Sequence, residues 1–146
     1  RFSAGGVILL IAAVLILCFI WGNSMLPGSQ SYNVSMGFRN FLAVKLQGVD
    51  WIHVPKNAVM RKLAHITEFT LLGIVLTGII KGMMKISCGW GLFAGMSAAL
   101  ADETIQLFSG SRSSSVRDVW IDMGGFVTGV ATAMLIMLLW RAIKRR

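Results

Sequence analysis

The stretch VILLIAAVLILCFI, residues 7–20, carries no charge over fourteen positions. A helix needs about twenty apolar residues to cross the hydrocarbon core of a bilayer, and with Trp21 and Gly22 the run approaches that length. Trp21 suits the headgroup level, where an indole ring has one edge in hydrocarbon and one in water. Arg1 ahead of the run also fits a signal peptide. No small-x-small cleavage site follows directly, so the run reads as a retained membrane anchor. Asn23, Ser24, Pro27, Gly28 and Ser29 then read as the end of the helix.

Outward from this anchor lie three further apolar runs, from about Asn57 to Ile80, Ile86 to Phe108 and Val116 to Trp140. Each exceeds the ~20 residues a crossing requires. Over all 146 residues, 55% are hydrophobic and only 14% charged, with a mean hydropathy of +0.72. Soluble domains carry about 25% charged residues, and a chain this short could not hide so much apolar surface in one core. The expected fold is therefore an all-α integral membrane protein. It has four transmembrane helices in a bundle and forms a single domain over residues 1–146, with spans at about 7–22, 57–80, 86–108 and 116–140. Disordered, collagen-like and disulfide-scaffold classes are excluded. Cys18 and Cys88 lie in different runs without CxxC or Cys/His spacing, and both are expected to be buried free thiols.

The connection at 23–56 is too long for a bare loop and should contain a helix. Val34, Phe38, Phe41, Leu42, Leu46 and Val49 recur at helical spacing, with Arg39 and Lys45 on other sides. That pattern fits a helix lying flat at the lipid–water boundary, or one folded over the end of the bundle. The net charge of +8 does not indicate nucleic acid, because the positive residues lie between apolar spans or in the tail 141–146, where anionic lipid heads are the natural partner. Seven positive residues fall on each side of a four-span topology. Density decides: Arg141, Lys144, Arg145 and Arg146, with Lys81 and Lys85 in a short link, place both termini in the cytoplasm of a multi-pass cell-membrane protein.

On that topology all six carboxylates, Asp50, Glu68, Asp102, Glu103, Asp118 and Asp122, fall at or near the outer side, as do His53 and His65. An ionisable group at membrane depth costs roughly 2.5–3.5 kcal/mol near a span centre, so these groups must face partners or water. Helical spacing lets them meet. Arg61, His65, Glu68 and Leu72 share one face; Gly91, Gly95, Ala98, Asp102 and Gln106 form a second stripe; Asp118, Asp122, Gly125 and Gly129 form a third, with small residues that let helices approach closely.

These blocks resemble the VanZ-like membrane proteins, a family named for a component of glycopeptide-resistance clusters in Gram-positive bacteria. The resemblance rests on Arg61-Lys62-x-x-His65-x-x-Glu68-Phe69, on Asp102-Glu103-x-x-Gln106-x-Phe108 with Arg112, and on Asp118-x-x-x-Asp122-x-x-Gly125. A weaker likeness covers Trp21-Gly22-Asn23-Ser24 and Pro27 through Ser31. Two departures stand out. Ser109-Gly110-Ser111-Arg112 replaces a Pro-Gly-Arg turn, and Asp122 stands where many members carry Asn. The resemblance implies a role in low-level teicoplanin resistance; no reaction follows from it.

Three readings of the polar residues remain open at this point. In the first, Arg61, Lys62, His65, Glu68, Asp102, Glu103, Gln106, Arg112, Asp118 and Asp122 form a network that binds or excludes an amphiphilic ligand. A teicoplanin-like glycopeptide or a lipid-linked cell-wall precursor would fit, with membrane lipids as neighbours, and Arg suits a phosphate or carboxylate head through its planar fork. In the second, the chain is a membrane-embedded hydrolase, with His65, Glu68 and Glu103 as candidate metal ligands; no His-Glu-x-x-His and no nucleophile elbow supports it. In the third, acids and bases neutralise one another and only tie the helix ends together. No cofactor is expected.

Overall fold

The computed structural model describes residues 3–45, 56–84, 86–109 and 114–145. Their regular structure is helical throughout: α1 (Ala4–Met25), α2 (Gly28–Lys45), α3 (Asn57–Gly78), α4 (Cys88–Phe108) and α5 (Val116–Lys144), with α3 continuing into a π-helical turn at Ile79–Met84. Asp50, His53, Arg112 and Arg146, with Leu46 and Val49 of the amphipathic pattern, lie outside the described residues.

Three helical stretches are long and apolar enough to cross a membrane, Ala4–Met25, Ala58–Met84 and Val116–Lys144, and they suggest a membrane protein. The first starts earlier than the apolar run because Ser3 caps it, its Oγ accepting from the Gly6 N–H at 3.2 Å. It also runs past Trp21 and Gly22, so that Asn23 and Ser24 sit inside its last turn instead of ending it; Pro27 follows two residues after Met25. α4 has 21 residues but is more polar, because Asp102, Glu103 and Gln106 occupy its second half.

α3 and α5 share the largest interface, and glycine makes it possible. A Cβ on Gly129 would run into the Thr70 carbonyl oxygen, one on Gly73 into the Phe126 carbonyl oxygen, and one on Gly125 would stand 2.6 Å from the Ile66 carbonyl oxygen. The backbones are close enough for Thr70 Oγ1 on α3 to donate to the Gly125 carbonyl on α5 at 3.0 Å. Gly95 brings α4 against the Phe126 ring. Ile20, Phe69, Leu72, Ala98, Ala99, Val119, Met123 and Phe126, from four helices, form the core.

The outer surface is apolar over much of its area, including Ile8, Leu15 and Phe19 on α1, Phe93, Leu100 and Leu107 on α4, and Leu135, Ile136 and Leu139 on α5. Contiguous exposed hydrocarbon on this scale would aggregate in water. Cys18 belongs to this surface. The expectation that it is buried is corrected, because it lies on a face of α1 that no other described helix covers. α2 occupies the connection as a helix without a buried residue, and Val34, Phe38 and Phe41 are exposed along it.

The glycine contacts generate a test. Gly129→Val forces the α3 and α5 backbones apart, and we expect it to cost about 3 kcal/mol or more, the upper end of overpacking. Gly124→Val, where an added Cβ meets nothing within 4 Å, should leave the thermal unfolding midpoint in detergent nearly unchanged.

Candidate functional site

At one end of the bundle the polar faces of α1, α3, α4 and α5 meet. Asp102 on α4 is fully buried. Its Oδ1 accepts from Ser24 Oγ of α1 at 2.6 Å, and its Oδ2 accepts from Gln106 Nε2, one turn further along α4, at 2.7 Å. Gln106 Nε2 also donates to Ser24 Oγ at 3.3 Å. A buried carboxylate without donors would be costly, and this one has a donor for each oxygen.

His65 on α3 faces this group. Its Nδ1 lies 3.6 Å from Asp102 Oδ2 and 3.8 Å from Asp122 Oδ1 on α5. Asp122 is 2% exposed, and its Oδ2 has no hydrogen-bond partner among the described residues. One donor atom from each of His65, Asp102 and Asp122 lies within 4.8 Å of the other two, a spacing that could hold a metal ion. Of the ligand candidates suggested by the sequence, only His65 belongs to this group. Glu68 Oε1 instead accepts from Asn23 Nδ2 of α1 at 3.1 Å. Glu103 Oε2 accepts from Ser114 Oγ at 2.6 Å and from the Ser115 N–H at 3.0 Å, tying α4 to the start of α5.

Asp118 combines two roles. Ser115 caps α5, its Oγ accepting from the Asp118 N–H at 3.2 Å and donating to Asp118 Oδ2 at 2.9 Å. The other oxygen pairs with Lys62 Nζ at 3.0 Å. Both partners of that pair are partly exposed, so it contributes about 0.2–1 kcal/mol at most.

A cleft of about 230 Å³ opens among these groups, lined by Arg61, Lys62, His65, Gln106, Asp118 and Asp122 with Glu103, Ala58 and Ile121. A smaller cavity of about 90 Å³ lies on the other side of Arg61 and His65, toward α1 and α2, and is lined by Asn23, Ser31, Ser35 and Glu68 among others. Arg61 and His65 therefore form a wall shared by both. The Arg61 Nε is buried and has no hydrogen-bond partner among the described residues. The cleft thus has cations at Arg61 and Lys62 beside a floor of carboxylates and imidazole.

The sequence reading missed Asn23, Ser24 and Ser114 as members of the site. Asn23 and Ser24 read as helix-stop residues. The signal was nevertheless present, because Ser24 follows the buried Ile20 by one helical turn and so stays on the core face.

A family model described as VanZ/LLP1 matches residues 9–139. Neither the curated proteins nor the solved structures give a match to the chain.

The Ser24 hydrogen bond to Asp102 can be tested directly. Ser24→Ala leaves one oxygen of a buried carboxylate without its donor, and we expect about 1–3 kcal/mol of destabilisation. Ser35→Ala, which removes only a bond to the Ser31 carbonyl of its own helix, should shift the unfolding midpoint far less.

Proposed function

The chain belongs to the VanZ/LLP1 family, and from that premise we propose that it is a four-pass envelope protein whose polar cleft binds the anionic head of an amphiphilic molecule. The ligand is a teicoplanin-like glycopeptide or a lipid-linked cell-wall precursor, and the outcome for the cell is low-level teicoplanin resistance. α4 serves as the remaining crossing: its 21 residues span ~30 Å at 1.5 Å per residue, and its apolar surface continues that of its neighbours. Both termini are cytoplasmic, the cleft opens on the outer side, and α2 rests at the outer interface with Val34, Phe38 and Phe41 toward lipid.

Arg61 is the observation that carries this reading. In a network that only neutralises itself, a buried guanidinium nitrogen would be tied to one of the nearby acids. The Arg61 Nε has no such partner among the described residues, and the side chain lines both cavities. A guanidinium recognises phosphate or carboxylate through paired N–H donors, and partial exclusion of water strengthens the contact. An amphiphile arriving from the bilayer would keep its tail in lipid while its head entered the cleft.

Arg61→Gln tests the proposal. In a teicoplanin-susceptible host we expect unchanged abundance in the membrane fraction and loss of the protection given by the unsubstituted protein. Affinity of the purified protein for a polyprenyl diphosphate in nanodiscs, or for teicoplanin, should fall about tenfold or more, the scale of a charge-assisted hydrogen bond. Lys62→Gln, which removes a partly exposed pair, should have a smaller effect. Full protection and full affinity in Arg61→Gln would overturn the reading.

A further inference from the structure

We propose that His65, Asp102 and Asp122 form a binding site for one divalent transition-metal ion at the floor of the cleft. The three residues come from α3, α4 and α5, and each presents a donor atom within 4.8 Å of the others. The separations from His65 Nδ1, 3.6 and 3.8 Å, are too long for hydrogen bonds. They are close to the ~3.0–3.4 Å expected between two ligand atoms that each stand ~2.1 Å from a shared ion. Side-chain rotations that draw all three donor atoms inward from their spacing of at most 4.8 Å would close the shell.

A second observation points the same way. Asp122 lines the cleft, is 2% exposed, and has one carboxylate oxygen, Oδ2, with no hydrogen-bond partner among the described residues. Buried carboxylate oxygens are otherwise satisfied by donors or by cations, and no donor from the described residues is in place here. Asp102 is prepared differently. Ser24 and Gln106 fix its plane through hydrogen bonds, as the supports of metal-binding carboxylates do. One imidazole with two carboxylates suits Zn²⁺ or Mn²⁺ better than the soft thiolate-seeking ions or Ca²⁺. Three protein ligands leave coordination positions open to the cleft, beside Arg61 and Lys62. The ion site does not depend on the anionic-ligand reading and would stand even if Arg61→Gln bound every amphiphile normally.

The test uses the tag-free full chain in detergent, stripped with chelator and then equilibrated with Zn²⁺ or Mn²⁺. We expect about one ion per chain by elemental analysis and a rise in unfolding midpoint on loading. For Mn²⁺, electron-nuclear double resonance should show one coordinated imidazole nitrogen. Asp122→Asn and His65→Gln should each weaken the ion by about tenfold or more, since even a supporting residue costs that much. Cys18→Ser and His53→Ala should retain the ion, which excludes the exposed thiol and the other histidine. Should a cleft variant fail to fold, the nitrogen coupling in the unsubstituted protein still decides. Substoichiometric ion after loading, absence of that coupling, or undiminished affinity in folded Asp122→Asn and His65→Gln would overturn the site.

Discussion

Asp122 can face His65 only because the backbones of α3 and α5 nearly touch. Gly125 stands three residues beyond Asp122 and packs against the backbone of Ile66, the residue after His65. One turn deeper, Gly129 packs against Thr70, and Gly73 returns the contact from α3. Any side chain at these positions would separate the helices and leave the carboxylate and imidazole too far apart to act on one another. In a bilayer, where lipid tails are as apolar as the side chains, such close approach supplies the packing that a hydrophobic effect between helices cannot. The glycines therefore hold the helices together and also bring the polar groups to one place.

The polar groups are not equivalent energetically. The Lys62–Asp118 pair is short but partly exposed, and solvent screening leaves it little weight. The buried acids are what the end of the bundle must accommodate, because removing a charge from water costs several kcal/mol even after relaxation. Asp102 meets that cost with two strong hydrogen bonds. Asp122 does not do so fully, although it is almost as deeply buried. A bundle selected only for stability could place an apolar side chain of similar size there and avoid the penalty. Asp122 Oδ2 and the Arg61 Nε, both buried and without a hydrogen-bond partner among the described residues, carry a cost that a ligand in the cleft, as proposed above, would offset.

Much of this was legible in the sequence, because it depends on period and side-chain size. The apolar runs gave the helices, the 61–65–68–72 spacing gave the polar face of α3, and the glycine stripes of α4 and α5 gave the close contacts. Details set by three-dimensional competition were not legible. Asn23 and Ser24 look like helix breakers until their side chains find acids on neighbouring helices, after which α1 has no reason to end there. Glu68 and Glu103 were the acids the sequence offered as candidate ligands beside His65. Their longer side chains instead reach Asn23 and the Ser114–Ser115 turn, while the shorter aspartates stay close to the helix junction. Cys18 shows the same limit, since an apolar run does not reveal which of its faces meets protein and which meets lipid.

The depth of the site follows from a regularity shared by all four packed helices. One turn from Ser24 lies Ile20, one turn from His65 lies Phe69, one turn from Asp102 lies Ala98, and one turn from Asp122 lies Phe126, each of them in the core. Glu68 is likewise followed one turn on by Leu72. Each polar residue thus has an apolar one directly beneath it, so the polar layer rests on a continuous apolar one. Ile20, Phe69, Leu72 and Phe126 have no exposed surface at all. A path for a polar solute along the bundle axis would need hydrogen-bonding side chains at that level, and those of the core cluster are all apolar. The buried carboxylates Asp102, Glu103 and Asp122 therefore gather at one end of the packed helices. Under the proposed reading of the cleft, such an arrangement suits capture at the membrane surface and does not suit passage along the helices.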